Sequence, residues 1–182
     1  MKEEIVKIIF FLPVALIVLS FPLIIIEDNG IRLFQKFYYR YGISIYKTTI
    51  DISNLIILPG EKKVITKEEG CFCFTDDGKI YFRSNPAEFN WFRLRTFFPY
   101  KITASITDMN HLLIVAKLPL GPTLLSVSWT LLGILLTPLF GTAGLLFVVF
   151  PLVMFFIGYP VERSRMKKMI TELKEIMVSF NT

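Results

Sequence analysis

A run of 38 residues without a charged side chain, from Pro122 to Tyr159, constrains the fold of this chain more than any other feature. The hydrocarbon core of a bilayer requires about 20 mostly apolar residues for each spanning helix. The run is therefore long enough for two helices, and turn-forming residues between Thr137 and Thr142 divide it near the middle. We predict a transmembrane helical hairpin over residues 122–159.

A second charge-free run, Ile8 to Ile26, has the length of one membrane span. The alternative is a cleaved signal peptide. The run is longer than a usual signal core, and it is followed by Glu27-Asp28-Asn29-Gly30 instead of a small-residue cleavage site. We therefore predict an uncleaved membrane anchor over residues 1–27.

The middle of the chain has the pattern of a small antiparallel β domain over residues 43–121, with six or seven short strands. Alternation in GCFCF places Cys71 and Cys73 on one face of a strand and Phe72 and Phe74 on the other. Asp76-Asp77-Gly78 is a strong hairpin signal, and Asp108-Met109-Asn110 marks a second hairpin. Further turn signals are Pro59-Gly60 and Asn85-Pro86.

The C-terminal segment, residues 160–182, is predicted to form an amphipathic helix. Its apolar residues recur at helical spacing; they are Met166, Met169, Ile170, Leu173, Ile176, Met177 and Phe180. This stripe must be covered by the β domain, by the membrane surface or by another subunit. The expected architecture is an α+β membrane protein with three transmembrane helices, one N-terminal and two in a C-terminal hairpin.

Basic residues follow the first and third apolar runs, and the positive-inside rule then indicates the orientation. Three spans place the β domain and the C-terminus on the same side of the membrane. We expect that side to be the cytoplasm, with the protein in a bacterial inner or plasma membrane or an organellar membrane. Cys71 and Cys73 would stay reduced there.

We predict that residues 28–42 form a membrane-proximal amphipathic segment, either a linker whose charges snorkel to the headgroups or a site of lipid recognition. Arg32, Lys36 and Arg40 recur every four residues, so on one helix they would form a basic stripe. Tyr and Phe beside them suit the boundary between headgroups and water. A further aromatic segment, Trp91 to Tyr100, suits either an interfacial or partner contact or burial in the small core.

The composition argues against several function classes. Residues 61–121 carry nine basic and seven acidic side chains, which is unlike the basic field of a nucleic-acid-binding domain. There is no phosphate-binding glycine motif, and Cys71, Cys73 and the single histidine, His111, do not supply the four ligands of a structural zinc site. We expect no metal, no cofactor, no nucleic acid and no small-molecule substrate, and an enzyme of unknown class is a minor alternative.

The apolar runs themselves contain no ionisable residue, whereas a transport path is normally lined by such residues. Transport by this chain alone is therefore not expected. Gly133, Gly141 and Gly144 are small enough to let the predicted helices approach closely.

Two functional hypotheses follow. The first is a non-catalytic membrane subunit or assembly factor of a larger complex, with other membrane-protein subunits as partners. Its candidate partner contacts are Trp91, Phe97, Phe98, Met166, Met169, Leu173 and Met177.

The second hypothesis is a membrane-held lipid-sensing module, with membrane lipids as partners. Its candidate contacts with anionic headgroups are Arg32, Lys36, Arg40, Arg163, Arg165, Lys167 and Lys168. The order of anchor, small β domain and C-terminal hairpin resembles that of small bacterial membrane proteins with pleckstrin-like domains, and this resemblance is one of layout alone.

Overall fold

The computed structural model describes residues 2–52, 62–85, 100–108 and 111–180. Its helices are α1 (Lys2–Arg32), α2 (Lys36–Arg40), α3 (Leu120–Phe140) and α4 (Thr142–Ser179). Its strands are β1 (Ile43–Asp51), β2 (Lys63–Thr66), β3 (Gly70–Phe74), β4 (Lys79–Ser84), β5 (Lys101–Asp108) and β6 (His111–Leu118). The chain is a mixed α+β protein, as the sequence predicts.

The six strands of the described ranges form one antiparallel sheet in the order β1-β6-β5-β4-β3-β2. The predicted hairpin at Asp76-Asp77-Gly78 connects β3 to β4, and Gly78 has a φ of 73°, a left-handed conformation that favours glycine. The second predicted hairpin is also confirmed, since Asp108 of β5 lies opposite His111 of β6. Pro59-Gly60 and the aromatic residues Trp91 to Phe98 lie outside the described residues.

The two faces of the sheet are covered by different helices. Phe72 and Phe74 point into the main core on one face, whereas Cys71 and Cys73 lie in a smaller cluster on the other, as the alternation predicts. The main core is completed by Ile80, Phe82, Ile102, Ala104, Leu112 and Ile114 from the sheet. The smaller cluster is closed by Ile31, Phe34 and Tyr39, at the corner between α1 and α2.

Helix α4 covers the main core with its second half. Met166, Met169, Leu173 and Met177 are all buried against the sheet. The sequence left three surfaces that could cover this stripe, and the structure shows that it packs on the β domain of the same chain. These side chains are therefore covered within the chain itself, and their role as partner contacts stays a prediction.

The predicted C-terminal helix over residues 160–182 is not a separate element. Helix α4 runs without interruption through Pro151 and Pro160 to Ser179. Proline lacks an N–H, but its fixed φ is compatible with helical backbone, and the packing of the following stripe on the sheet stabilises the continuation. A helix of this length spans about 57 Å, roughly twice the thickness of a bilayer core, so its second half can reach the sheet.

The basic residues 32, 36 and 40 do not form one helical stripe. Helix α1 ends at Arg32, the chain turns at Phe34 with a φ of 51°, and α2 begins at Lys36. The turn allows the rings of Phe34 and Tyr39 to stack at 6.2 Å and to cover the small cluster. Burial of two aromatic side chains outweighs the continuation of a polar helix, because each buries a large apolar area.

Three helices are long and apolar enough to cross a membrane: α1 from Phe10, α3, and α4 from Gly144. Helix α3 packs against both α1 and α4. A Cβ atom at Gly133 would lie 2.9 Å from the backbone nitrogen of Val148, and one at Gly144 would lie 2.5 Å from the Cα of Thr137. The predicted close approach is thus confirmed at these two glycines. Gly141 follows the end of α3, and a Cβ atom added there would meet no atom of the described residues within 4 Å.

Candidate functional site: the junction of the helices and the sheet

A buried carboxylate joins three elements where the sheet meets the helices. Oε1 of Glu27 in α1 binds the ammonium group of Lys101 at the start of β5. The same oxygen accepts the N–H of Leu120 at 3.0 Å, and Oε2 accepts the N–H of Gly121 at 2.8 Å. The first N–H groups of a helix have no partner within it and carry a partial positive charge, so a carboxylate there is favourable. Glu27 therefore caps α3 and anchors β5 at once.

The two charged groups of this pair are almost completely removed from solvent. The side chain of Glu27 is 3% exposed and that of Lys101 is 1% exposed. Burial lowers the pKa of Lys101, and the adjacent Glu27 carboxylate opposes that shift. Lys117, which lies opposite Lys101 in the sheet, lowers the Lys101 pKa slightly further by charge repulsion. Glu27 is thus the group that makes a charged lysine tolerable at this position.

A second buried carboxylate holds Tyr100, the residue immediately before β5. The side chain of Glu162 in α4 is 1% exposed, and its Oε2 accepts the N–H of Tyr100 at 3.5 Å. The hydroxyl of Tyr100 donates to the carbonyl of Tyr159 at 3.4 Å. Burial raises the pKa of Tyr100, which keeps this hydroxyl protonated and able to donate. The start of β5 is therefore held between α1 and α4.

A third set of contacts fixes the far half of α4 to the turn between β2 and β3. The ammonium group of Lys168 lies 2.6 Å from Oε1 of Glu69, and the N–H of Glu69 donates to Oε1 of Glu172 at 2.9 Å. Together with Glu27 and Glu162, these residues fix the sheet to the helices at three separate places.

Sequence reasoning did not identify Glu27, Lys101 or Glu162 as important. One signal was present: Glu27 directly follows the charge-free run Ile8 to Ile26, and a carboxylate beside an apolar span normally has a partner. The identity of that partner was not accessible, because Lys101 lies 74 positions further along the chain.

The seven predicted headgroup contacts fall into two groups. Four of them form ion pairs within the chain; they are Arg32 with Asp28, Lys36 with Asp76 and Asp77, Arg165 with Glu162, and Lys168 with Glu69. The other three, Arg40, Arg163 and Lys167, are exposed and form no ion pair with a carboxylate of the described residues. They are the cations of this set that remain available to an external anion.

A groove of about 560 Å³ lies between α2 and the sheet, on the face opposite to α4. Its cationic lining residues come from three different elements: Lys36 and Arg40 from α2, Lys79 from β4 and Lys117 from β6. Asp77 is the carboxylate in its lining, and the floor includes Thr103 and Ser105 of β5. Lys79 and Lys117 were not singled out in the sequence, because strands distant along the chain bring them together.

The candidate metal-ligating residues are not arranged as a metal site. Cys71 and Cys73 are free and buried, and His111 is exposed at the start of β6. Within the parts of the chain that the structure describes, no three His, Cys, Asp or Glu side chains form a group able to hold a metal ion. Trp91, Phe97 and Phe98, the remaining predicted partner contacts, lie outside those parts.

No protein-family model matches this chain, and no similar protein was found among the curated proteins or the solved structures. The functional argument therefore depends on the chain's own residues. Those residues combine apolar helices, a sheet fixed to them by buried carboxylates, and exposed cations beside the junction.

Proposed function

We propose that this chain is an integral membrane protein with three spanning helices, whose β domain is held at the membrane surface and binds anionic lipid headgroups. The observation that carries the proposal is the junction itself. Glu27 brings the end of α1, the start of α3 and the start of β5 to one level. If the apolar helices span a bilayer, that level lies at the headgroups, and the sheet begins directly above it.

The distribution of charge supports a role at anionic lipids. The carbonyl of Arg40 accepts a hydrogen bond from Lys117, and Arg163 and Lys167 follow Glu162 on α4. Each basic residue near an anionic surface contributes about 1 kcal/mol. Three of them contribute about 3 kcal/mol, which is small compared with the insertion of three spanning helices. The cations are therefore not needed for membrane attachment, and we infer that they select the lipids that surround the protein.

The orientation remains part of the proposal. Both basic clusters follow helices that leave the membrane on the side of the sheet, so the positive-inside rule favours a cytoplasmic β domain. A cysteine introduced at the exposed Lys47 should then react with a membrane-impermeant maleimide only in inverted vesicles or after lysis. Labelling from outside intact cells would place the β domain on the opposite side.

The hypothesis of a non-catalytic subunit or assembly factor loses one of its supports in this structure. The apolar stripe of α4 no longer requires another subunit, because the sheet buries it. The two proposals predict different masses for the solubilised particle. A mass far above 21.0 kDa with defined protein companions would favour the subunit hypothesis.

The lipid proposal is tested by lipid enrichment. The full chain is reconstituted in vesicles of neutral phosphatidylcholine with one-fifth anionic phosphatidylglycerol, extracted in mild detergent, and the co-purified lipids are quantified. We expect the anionic lipid to be enriched over its share of the vesicle, and the enrichment to fall when Arg40, Arg163 and Lys167 are all changed to Ala.

The matched control changes the same number of cations at the other end of the β domain. Lys62, Lys63 and Lys174 are exposed, and Lys63 lies over the Phe180 ring near the end of α4, at 5.0 Å from its centroid. Their joint change to Ala should leave the enrichment unaltered. If both triple variants lost the lipid enrichment equally, the enrichment would depend on net charge alone, and the proposal would be contradicted.

A further inference from the structure

The groove between α2 and the sheet has two ends with different electrostatics. At one end Lys36 and Lys79 share Asp77, at 3.3 Å and 3.7 Å from its Oδ2, and Lys36 also lies 3.5 Å from Asp76. These cations are neutralised within the chain. The Lys36 ion pairs and a hydrogen bond from Thr75 keep the carboxylate of Asp77 in place.

The other end of the groove carries cations without such partners. The ammonium group of Lys117 donates to the backbone carbonyl of Arg40 at 2.6 Å, which fixes it beside α2. Neither Arg40 nor Lys117 forms an ion pair with a carboxylate of the described residues. Two like charges lining one cavity repel each other unless an anion lies between them.

The total charge of the groove indicates the kind of anion. Four cations, namely Lys36, Arg40, Lys79 and Lys117, stand against the carboxylates of Asp77 and Asp76, which leaves an excess of two positive charges. A phosphate monoester carries a charge of about −1.5 to −2 at pH 7. A phosphodiester carries one negative charge and would leave the groove with a net positive charge.

The shape and lining of the groove also suit a phosphate group. Its volume of about 560 Å³ lies within the usual range for a small-ligand site. The planar guanidinium of Arg40 can donate two parallel hydrogen bonds to phosphate oxygens, and an ammonium group such as that of Lys117 acts as a point charge.

We propose that this groove binds a phosphate monoester between Arg40 and Lys117, presented by the headgroup of a membrane lipid. The assignment to a lipid depends on the proposed function, because Lys117 lies opposite Lys101 at the level where the helices would leave the membrane. The phosphate chemistry does not depend on it. A soluble phosphate compound is the other source of the same chemistry.

The test uses the full chain in neutral detergent micelles. Short-chain phosphatidic acid, which has a monoester headgroup, and short-chain phosphatidylglycerol, which has a diester headgroup, are titrated separately and binding is followed by calorimetry. We expect at least tenfold tighter binding of phosphatidic acid. Arg40→Gln and Lys117→Gln should each weaken it at least tenfold, and Lys117→Arg should retain most of it. Lys174→Gln, which removes an exposed cation outside the groove, should leave it unchanged.

Inorganic phosphate alone separates the two sources. If it binds as tightly as phosphatidic acid, the ligand is a soluble phosphate and the lipid assignment is wrong. Equal affinity for the two lipids, or unchanged affinity in Arg40→Gln and Lys117→Gln with folding verified by thermal unfolding, would overturn the groove proposal. Selective binding in micelles without anionic lipid enrichment in vesicles would instead contradict only the proposed function.

Discussion

Glu27 and Lys101 form an ion pair that is almost completely buried, although 74 positions separate them in the chain. The ion pair lies where α1, β5 and the first turn of α3 meet, and the carboxylate also accepts two backbone N–H groups of α3. A buried ion pair costs desolvation energy that its own attraction barely offsets. The two additional N–H contacts offset this desolvation energy, because the same carboxylate also caps α3.

The first prediction concerns the unequal roles of the two partners. Glu27→Leu leaves the Lys101 ammonium and two N–H groups of α3 without an acceptor, and should destabilise the protein by about 3–5 kcal/mol. Lys101→Met should cost about 1–2 kcal/mol less, because the carboxylate keeps its charge-assisted bonds to the N–H groups of Leu120 and Gly121. The free energy of unfolding is measured by denaturant titration in detergent micelles.

Asp28→Asn is the control for this comparison. Asp28 is the next residue of the same helix, and it forms an exposed ion pair with Arg32 four residues on, at 2.7 Å. Such pairs on a helix surface contribute about 0.3–0.5 kcal/mol. If Lys101→Met lowered the free energy of unfolding as much as Glu27→Leu, capping of α3 by Glu27 would contribute nothing to stability.

The second prediction concerns the close contact between α3 and α4. Gly144→Ala places a methyl group 2.5 Å from the Cα of Thr137, so the two backbones must move apart. Trp129 of α3 stacks on Phe147 of α4 at 5.9 Å, and its fluorescence reports on their separation. In a Trp91→Phe background we expect Gly144→Ala to change the Trp129 emission and to lower the melting temperature.

Ile134→Ala, at a side chain of α3 that is 54% exposed, serves as the control for the glycine variant. It removes apolar atoms without changing the distance between the helices. If both variants behave alike, the close approach at Gly144 has no structural importance.

Local features of the fold were accessible from the sequence, and long-range ones were not. The hairpin at Asp76-Asp77-Gly78 and the two faces of GCFCF depend on neighbouring residues, so their pattern predicts them. The partners of Glu27 and the lining of the groove depend on which strands lie side by side, and periodicity carries no such information. The sequence predicts a boundary at Pro160 between the hairpin and the C-terminal helix. The structure has none, because tertiary packing on the sheet stabilises α4 beyond this proline.

The third prediction concerns the cysteines of β3. Cys73 is fully buried, and burial raises the pKa of its thiol above the ordinary value of 9.0. The folded state therefore holds less reactive thiolate than the unfolded state, and the stability that depends on the protonated thiol is lost as the pH rises above 9. At pH 8 we expect iodoacetamide to modify Cys73 at least tenfold more slowly in the folded protein than in denaturant.

A cysteine introduced at the exposed Lys47 provides the reference rate in the same sample. It should react at a similar rate in the folded and the denatured protein. Rapid modification of Cys73 in the folded protein would mean that the cluster of Ile31, Phe34 and Tyr39 does not cover this face.

The fourth prediction tests whether the apolar stripe of α4 packs in the core of the chain or binds another subunit. Leu173 is buried against the sheet, so Leu173→Ala should lower the free energy of unfolding of the isolated chain by about 2–5 kcal/mol. Val178 of the same helix is 54% exposed, and Val178→Ala should change stability by less than about 0.5 kcal/mol.

If Leu173 instead contacted only another subunit, its substitution would leave the isolated chain as stable as before and would reduce only the mass of a complex. Unfolding curves and particle masses of both variants, measured on the same preparations, distinguish these outcomes, because the sheet loses packing in one case and the complex loses an interface in the other.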